Sequence, residues 1–117
     1  MNRKRIIYFV TLSSNASIVL RQAIDQASNS EIYIFFDLDG SRVLDKRYLR
    51  ELKAREAIDF SALLSTALEK RIKLYGCQMN VMFSQGLQII DGVELGGVAT
   101  FLDLAYDADA VLSYQRS

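Results

Sequence analysis

The sequence predicts an α/β protein: a three-layer α/β/α sandwich around a mostly parallel sheet of four to five strands, built as one domain over residues 1–117. Two observations carry this reading. The short apolar runs Ile6–Val10, Ile32–Phe36, Ile72–Tyr75 and Ala110–Leu112 are nearly continuous rather than alternating, the pattern of strands covered on both faces. Between them lie segments of helical period, and strands that alternate with helices imply crossover connections and a parallel sheet.

Each element has a local reason. The run Ile6-Ile7-Tyr8-Phe9-Val10 follows a basic start, Arg3-Lys4-Arg5. The pair resembles a signal peptide, but the apolar run is short and no small-residue cleavage site follows, so it reads as the first strand. Ala16, Leu20, Ala23 and Ala27, flanked by Val19 and Ile24, form one helical stripe, with Ser14 or Asn15 as its N-cap. Phe60, Leu63, Leu64, Ala67 and Leu68 form a second, capped by Asp59. Val98, Phe101, Leu102 and Ala105 form a third, entered through Gly96-Gly97, and Gly92-Val93-Glu94 supplies a further short strand. Within Arg42–Glu56, Leu44, Tyr48, Leu49 and Leu52 suit a helix, and the density of charge there predicts an exposed one.

Composition narrows the function classes. The 117 residues carry 14 basic and 14 acidic side chains, half of them are apolar, and histidine is absent. A balanced charge gives no reason to expect a nucleic-acid partner. No stretch approaches the ~20 apolar residues of a membrane helix, so a cytoplasmic protein without a membrane partner is expected. Without histidine, Ser-His-Asp and Cys-His arrangements cannot be built, nor a Cys/His zinc site. Neither a metal nor a cofactor is expected. The single cysteine, Cys77, cannot form a disulfide within the chain and stays reduced in such a compartment.

Cys77 is the leading candidate for chemistry. It lies where the strand Ile72-Lys73-Leu74-Tyr75-Gly76 runs toward a short helix expected from Gln78-Met79-Asn80. Amides that open a helix favour negative charge, so a thiol there can be held as the nucleophilic thiolate. In open α/β sheets ligands gather beyond the carboxyl ends of the strands. The loops Thr11–Asn15, Asp37–Ser41, Cys77–Asn80 and Asp91–Gly97 are expected at that edge. Asp37, Asp39, Asp91 and Glu94 on those loops would oppose ionisation if they pointed inward. The bland alternative is a small buried hydrophobe.

Two other patterns compete for attention. Phe36-Asp37-Leu38-Asp39-Gly40-Ser41 resembles the first motif of haloacid-dehalogenase-type phosphatases, whose first aspartate attacks phosphorus and whose second is an acid/base. No downstream lysine and paired aspartates complete it, and a Leu-Asp-Gly turn accounts for the same residues. Gly92-Val93-Glu94-Leu95-Gly96-Gly97 matches neither a Walker loop nor a dinucleotide fingerprint. Its glycines permit a turn into the last helix, and the bare amides of Gly96 and Gly97 could line a pocket beside the thiol. Met79, Met82, Phe83 and Leu87, with Tyr75 and Tyr106, are expected to form an apolar patch that a second copy covers.

Lys73-Leu74-Tyr75-Gly76-Cys77-Gln78-Met79, the block Ile90-Asp91-Gly92-Val93-Glu94-Leu95-Gly96-Gly97-Val98-Ala99, and Phe35-Phe36-Asp37-Leu38-Asp39-Gly40 together resemble the DsrE/DsrF-like family. The resemblance implies a small parallel-sheet domain assembled as a trimer or hexamer. It also implies a sulfur carrier or sulfurtransferase that takes sulfur from donor proteins and gives it to acceptor proteins as a persulfide on Cys77. Gln78, Met79, Gly96 and Gly97 are the residues expected to surround the transferred sulfur. The alternative from another class is a ligand-binding or regulatory module in which Cys77 is inert, and the phosphatase using Asp37 and Asp39 comes third.

Overall fold

The computed structural model describes residues 3–55, 59–77 and 88–114. Strands β1 (Lys4–Val10), β2 (Ser30–Phe36), β3 (Lys73–Cys77), β4 (Val93–Gly96) and β5 (Ala110–Tyr114) form one sheet in the order β4-β3-β2-β1-β5. All of its pairings are parallel. Among the described residues the α-helices are α1 (Ala16–Gln26), α2 (Lys46–Arg55), α3 (Phe60–Glu69) and α4 (Val98–Tyr106). The α/β class and the parallel sheet are as the sequence predicts.

The strand order explains how the helices divide. From β1 to β4 the chain steps in one direction across the sheet, and right-handed crossovers put the intervening helices on one face. The return from β4 to β5 reverses direction, so α4 lies on the other face, the one α-helix there among the described residues. The larger core joins Tyr8, Val10, Ile32, Ile34, Phe36 and Leu74 of the sheet to Ala16, Val19 and Leu20 of α1 and Phe60, Leu64 and Ala67 of α3. The smaller one joins Ile7, Tyr33, Phe35 and Tyr75 to Phe101, Leu104 and Ala105 of α4.

Four expectations need correction. The segment after β2 is not simply an exposed helix: Leu38–Leu44 forms a 3-10 helix whose Val43 and Leu44 are buried, and Leu49 and Leu52 of α2 are buried as well. Charge density hid an amphipathic period. In α4, Phe101 packs inward but Val98 and Leu102 face outward, because a helix apolar on most sides leaves its docking face to be chosen by the sheet's aromatic rings. Tyr75, expected in an exposed patch, is buried under α4. Finally, β4 runs through Gly96, so Asp91 stands at the amino end of the sheet, next to Gly92 and away from Cys77.

The caps fare unevenly. Asp59 accepts a hydrogen bond from the Ala62 amide at 3.2 Å, as its position before α3 predicts. Asn15 precedes α1 but makes no capping bond, since the chain enters α1 from a 3-10 turn already wound as a helix.

Candidate functional site

Cys77 is the last residue of β3, half-buried, and pairs in register with Gly96 of β4. Side chains of a strand alternate between faces, so Tyr75 and Cys77 share the α4 side of the sheet. Asp37 follows Phe36, which pairs with Gly76, and so comes level with the thiol on the neighbouring strand. These residues, with Phe9, Phe35, Phe36, Gly97, Val98 and Phe101, line an open cleft of about 100 Å³. The expected neighbours Gly96 and Gly97 are therefore brought to Cys77. Gln78 and Met79, like Asn80, Met82, Phe83, Leu87 and the short helix, lie outside the described residues.

The wall of the cleft is aromatic. Phe35 stacks on Tyr75 with ring centroids 4.6 Å apart and meets Phe101 edge-on at 5.2 Å, while Phe9 lies 5.3 Å from Phe101. Such pairs add about 0.5–1.5 kcal/mol each beyond their buried area, and they seat α4 on the sheet. Phe9, Phe35 and Phe101 were not singled out as site residues. The signal was available: Phe9, Phe35 and Tyr75 are register partners, so a row of rings points at the same face as Cys77.

The amino end of α4 opens onto the cleft through Gly97 and Val98. This places the partial positive charge of a helix start beside the thiol, from a helix other than the one expected at Gln78.

The carboxylates divide. Asp37 lines the cleft and accepts from the Leu38 amide at 2.8 Å. Asp39 instead accepts from the Ser13 amide at 2.8 Å and the Ser13 hydroxyl at 2.9 Å, and meets Arg42 at 3.3 Å. The Ser13 amide above all, then the Ser13 hydroxyl and Arg42, hold its carboxyl below the ordinary value against the effect of burial. Glu94 sits on β4 opposite Tyr75; burial first, and then Glu94, push the Tyr75 phenol up.

Gly40 completes the lock between the loops after β1 and β2. Its amide donates to Thr11 O at 2.9 Å, and a Cβ there would stand 2.2 Å from Val10 O. The Asp-Leu-Asp-Gly sequence is accounted for by this close approach and the Ser13 bonds, which direct Asp39 to the loop rather than to a phosphate. Among the described residues, no group of three or more His, Cys, Asp or Glu side chains could hold a metal ion, and no helix is long and apolar enough to cross a membrane.

A family model described as DsrE/DsrF/DrsH-like matches residues 29–112. The chain is also similar in structure to the protein of "Crystal structure of ychN protein from E.coli", with TM-score 0.76 and 24% identity over 97% of this chain and 100% of that one. At that identity the likeness speaks for the fold. No curated protein matches the chain.

Proposed function

We propose that this chain, which belongs to the DsrE/DsrF/DrsH-like family, is a cytoplasmic sulfur carrier that accepts sulfane sulfur on Cys77 and passes it on as a persulfide. Family membership makes it a sulfur-relay-type domain; the persulfide on this thiol is the finer step. One observation carries it: the chain's single thiol ends β3 at the carboxyl edge of the sheet, in an open cleft beside the start of α4.

The chemistry asks little of the protein. The Cys77 thiolate attacks the outer sulfur of a donor persulfide, the donor's S–S bond breaks, and the donor leaves as a thiolate carrying the electron pair. No histidine base is needed if the thiol is already ionised. Amides at the start of α4 favour the anionic sulfur, with Gly96 and Gly97 beside it; Gln78 and Met79, next in the chain, are its proposed further contacts. With one cysteine per chain, no internal disulfide can discharge the persulfide, so an acceptor protein must take the sulfur.

Self-association belongs to the same reading. Val98, Leu102 and Tyr106, at helical spacing, are 75%, 58% and 88% exposed on the outer side of α4. An apolar stripe of this kind is what a symmetric partner covers, and the trimer or hexamer expected from the family would bury it. The function is tested by intact mass after incubation with a persulfidated donor protein, on the wild type and on Cys77→Ser. A carrier gains one sulfur atom on the wild type alone; no gain on either contradicts it.

A further inference from the structure

We infer that the Cys77 cleft admits sulfur on an uncharged, apolar carrier and turns away anionic donors such as thiosulfate. This rests on the sulfur-carrier reading and names the substrate class of the same site. The rings of Phe9, Phe35 and Phe101 supply the apolar part of the cleft wall, and its volume of about 100 Å³ suits a short alkyl group. That is below the roughly 150 Å³ of a dry apolar cavity that takes a benzene ring.

Charge decides the selection. Asp37 is the one ionisable group besides Cys77 among the described lining residues, and none of them is Lys or Arg. The sequence directly after Cys77, residues 78–87, contains no charged side chain. Asp37 contributes a full negative charge and a reactive Cys77 thiolate a second. The start of α4 returns only about half a positive charge. An incoming anion therefore meets a net negative field with no cation among the described lining residues to pair with, whereas a neutral molecule meets ring faces that favour it without that repulsion.

The transfer balances without an outside oxidant. The Cys77 thiolate attacks the outer sulfur of a protonated hydropersulfide R–S–SH with a short apolar R. The S–S bond breaks, R–S⁻ leaves with the electron pair, and the proton stays on the transferred sulfur as Cys77–S–SH. Charge moves outward from Asp37 and none is created.

The test compares ethyl methanethiosulfonate, which is neutral, with its sulfonatoethyl analogue, which is anionic, on the full chain and on an unstructured cysteine peptide. The neutral-to-anionic rate ratio should exceed the peptide's by about tenfold, shrinking in high salt and falling several-fold in Asp37→Asn. The salt series on the wild type decides the matter even where Asp37→Asn fails to fold. A ratio equal to the peptide's at all salt concentrations overturns the inference. A second arm offers ethyl hydropersulfide or thiosulfate and reads intact mass. A ratio of sulfur gained from thiosulfate to that from the hydropersulfide that is lower on the chain than on the peptide supports selection, and an equal or higher ratio overturns it. Charge selection by the methanethiosulfonates with no sulfur gained from either donor supports the cleft's selectivity while contradicting the carrier function, so the two failures are distinguishable.

Discussion

Cys77 pairs in register with Gly96, so the residue beside the thiol on the next strand has no side chain. A Cβ at Gly96 would already come within 3.2 Å of Thr100, leaving a larger group nowhere to go but over the thiol. Gly96→Val should slow alkylation of Cys77 by a neutral maleimide at least tenfold and cost about 1–3 kcal/mol of stability by overpacking. At Gly97 a Cβ would meet nothing within 4 Å, and serine suits the position before a helix. Gly97→Ser should leave alkylation and the urea midpoint nearly unchanged; a loss like that of Gly96→Val would mean that the cleft is not closed by that side chain.

The loop lock gives a pair of stability outcomes. Gly40→Ala drives a Cβ into the Val10 carbonyl and should cost about 2–3 kcal/mol. Asp39→Ala removes the bonds to Ser13 and should cost about 1–2 kcal/mol, its half-exposed ion pair with Arg42 adding little. Because the folded Asp39 carboxyl titrates below its ordinary value, its contribution is present above that value and is lost as pH falls through the lowered one. Asp39→Asn should therefore show a shallower loss of stability in acid; an unchanged acid limb in urea unfolding would contradict the lock.

Tyr33 supplies the alkaline counterpart. Burial first, and then its bond to the Glu31 carboxylate, push its phenol from 10.0 up to about 12. A raised phenol favours the neutral form in the fold. Its contribution is complete below pH 10 and is lost as pH rises through about 12. Ultraviolet titration should show a late phase that shrinks in Tyr33→Phe, the raised Tyr75 phenol supplying what remains, and a late phase unchanged in that variant would contradict the assignment.

The outer stripe of α4 makes oligomerisation testable. Leu102→Glu and Tyr106→Asp place charge where a partner would sit, without touching the inward Phe101 and Leu104. Sedimentation should show a trimer or its double for the wild type and monomers for the double variant, with matching circular dichroism. A monomeric wild type at tens of micromolar would remove the reason for the stripe.

Much of the fold was legible because burial on both faces writes continuous apolar runs, as in Ile6–Val10 and Ile32–Phe36, and because α1 and α3 carry one-sided stripes. The rest was hidden for physical reasons. Val98 and Leu102 read as core because period alone cannot say which side of an apolar helix meets the sheet. β4 is an edge strand with Glu94 and Leu95 exposed, so its end at Gly96 carried little hydrophobic signal, and Asp91 was placed at the wrong edge. The meeting of Cys77, Gly96 and Gly97 in one cleft was legible from their place between elements. Asp37 could be read as a neighbour of the thiol, but its separation from Asp39 depended on Ser13, a partner 26 residues away in the chain, which no local pattern reveals.

A sulfur carrier must receive its sulfur on one atom, the Cys77 Sγ. Intact mass after exposure to a persulfidated donor protein, followed by a thiol-bearing acceptor, measures this directly. The carrier reading predicts a gain of one sulfur on the native chain, its loss to the acceptor, and neither event in folded Cys77→Ser. A Cys77 that alkylates readily yet gains no sulfur, or a serine variant that gains it equally, would contradict the role assigned to this thiol.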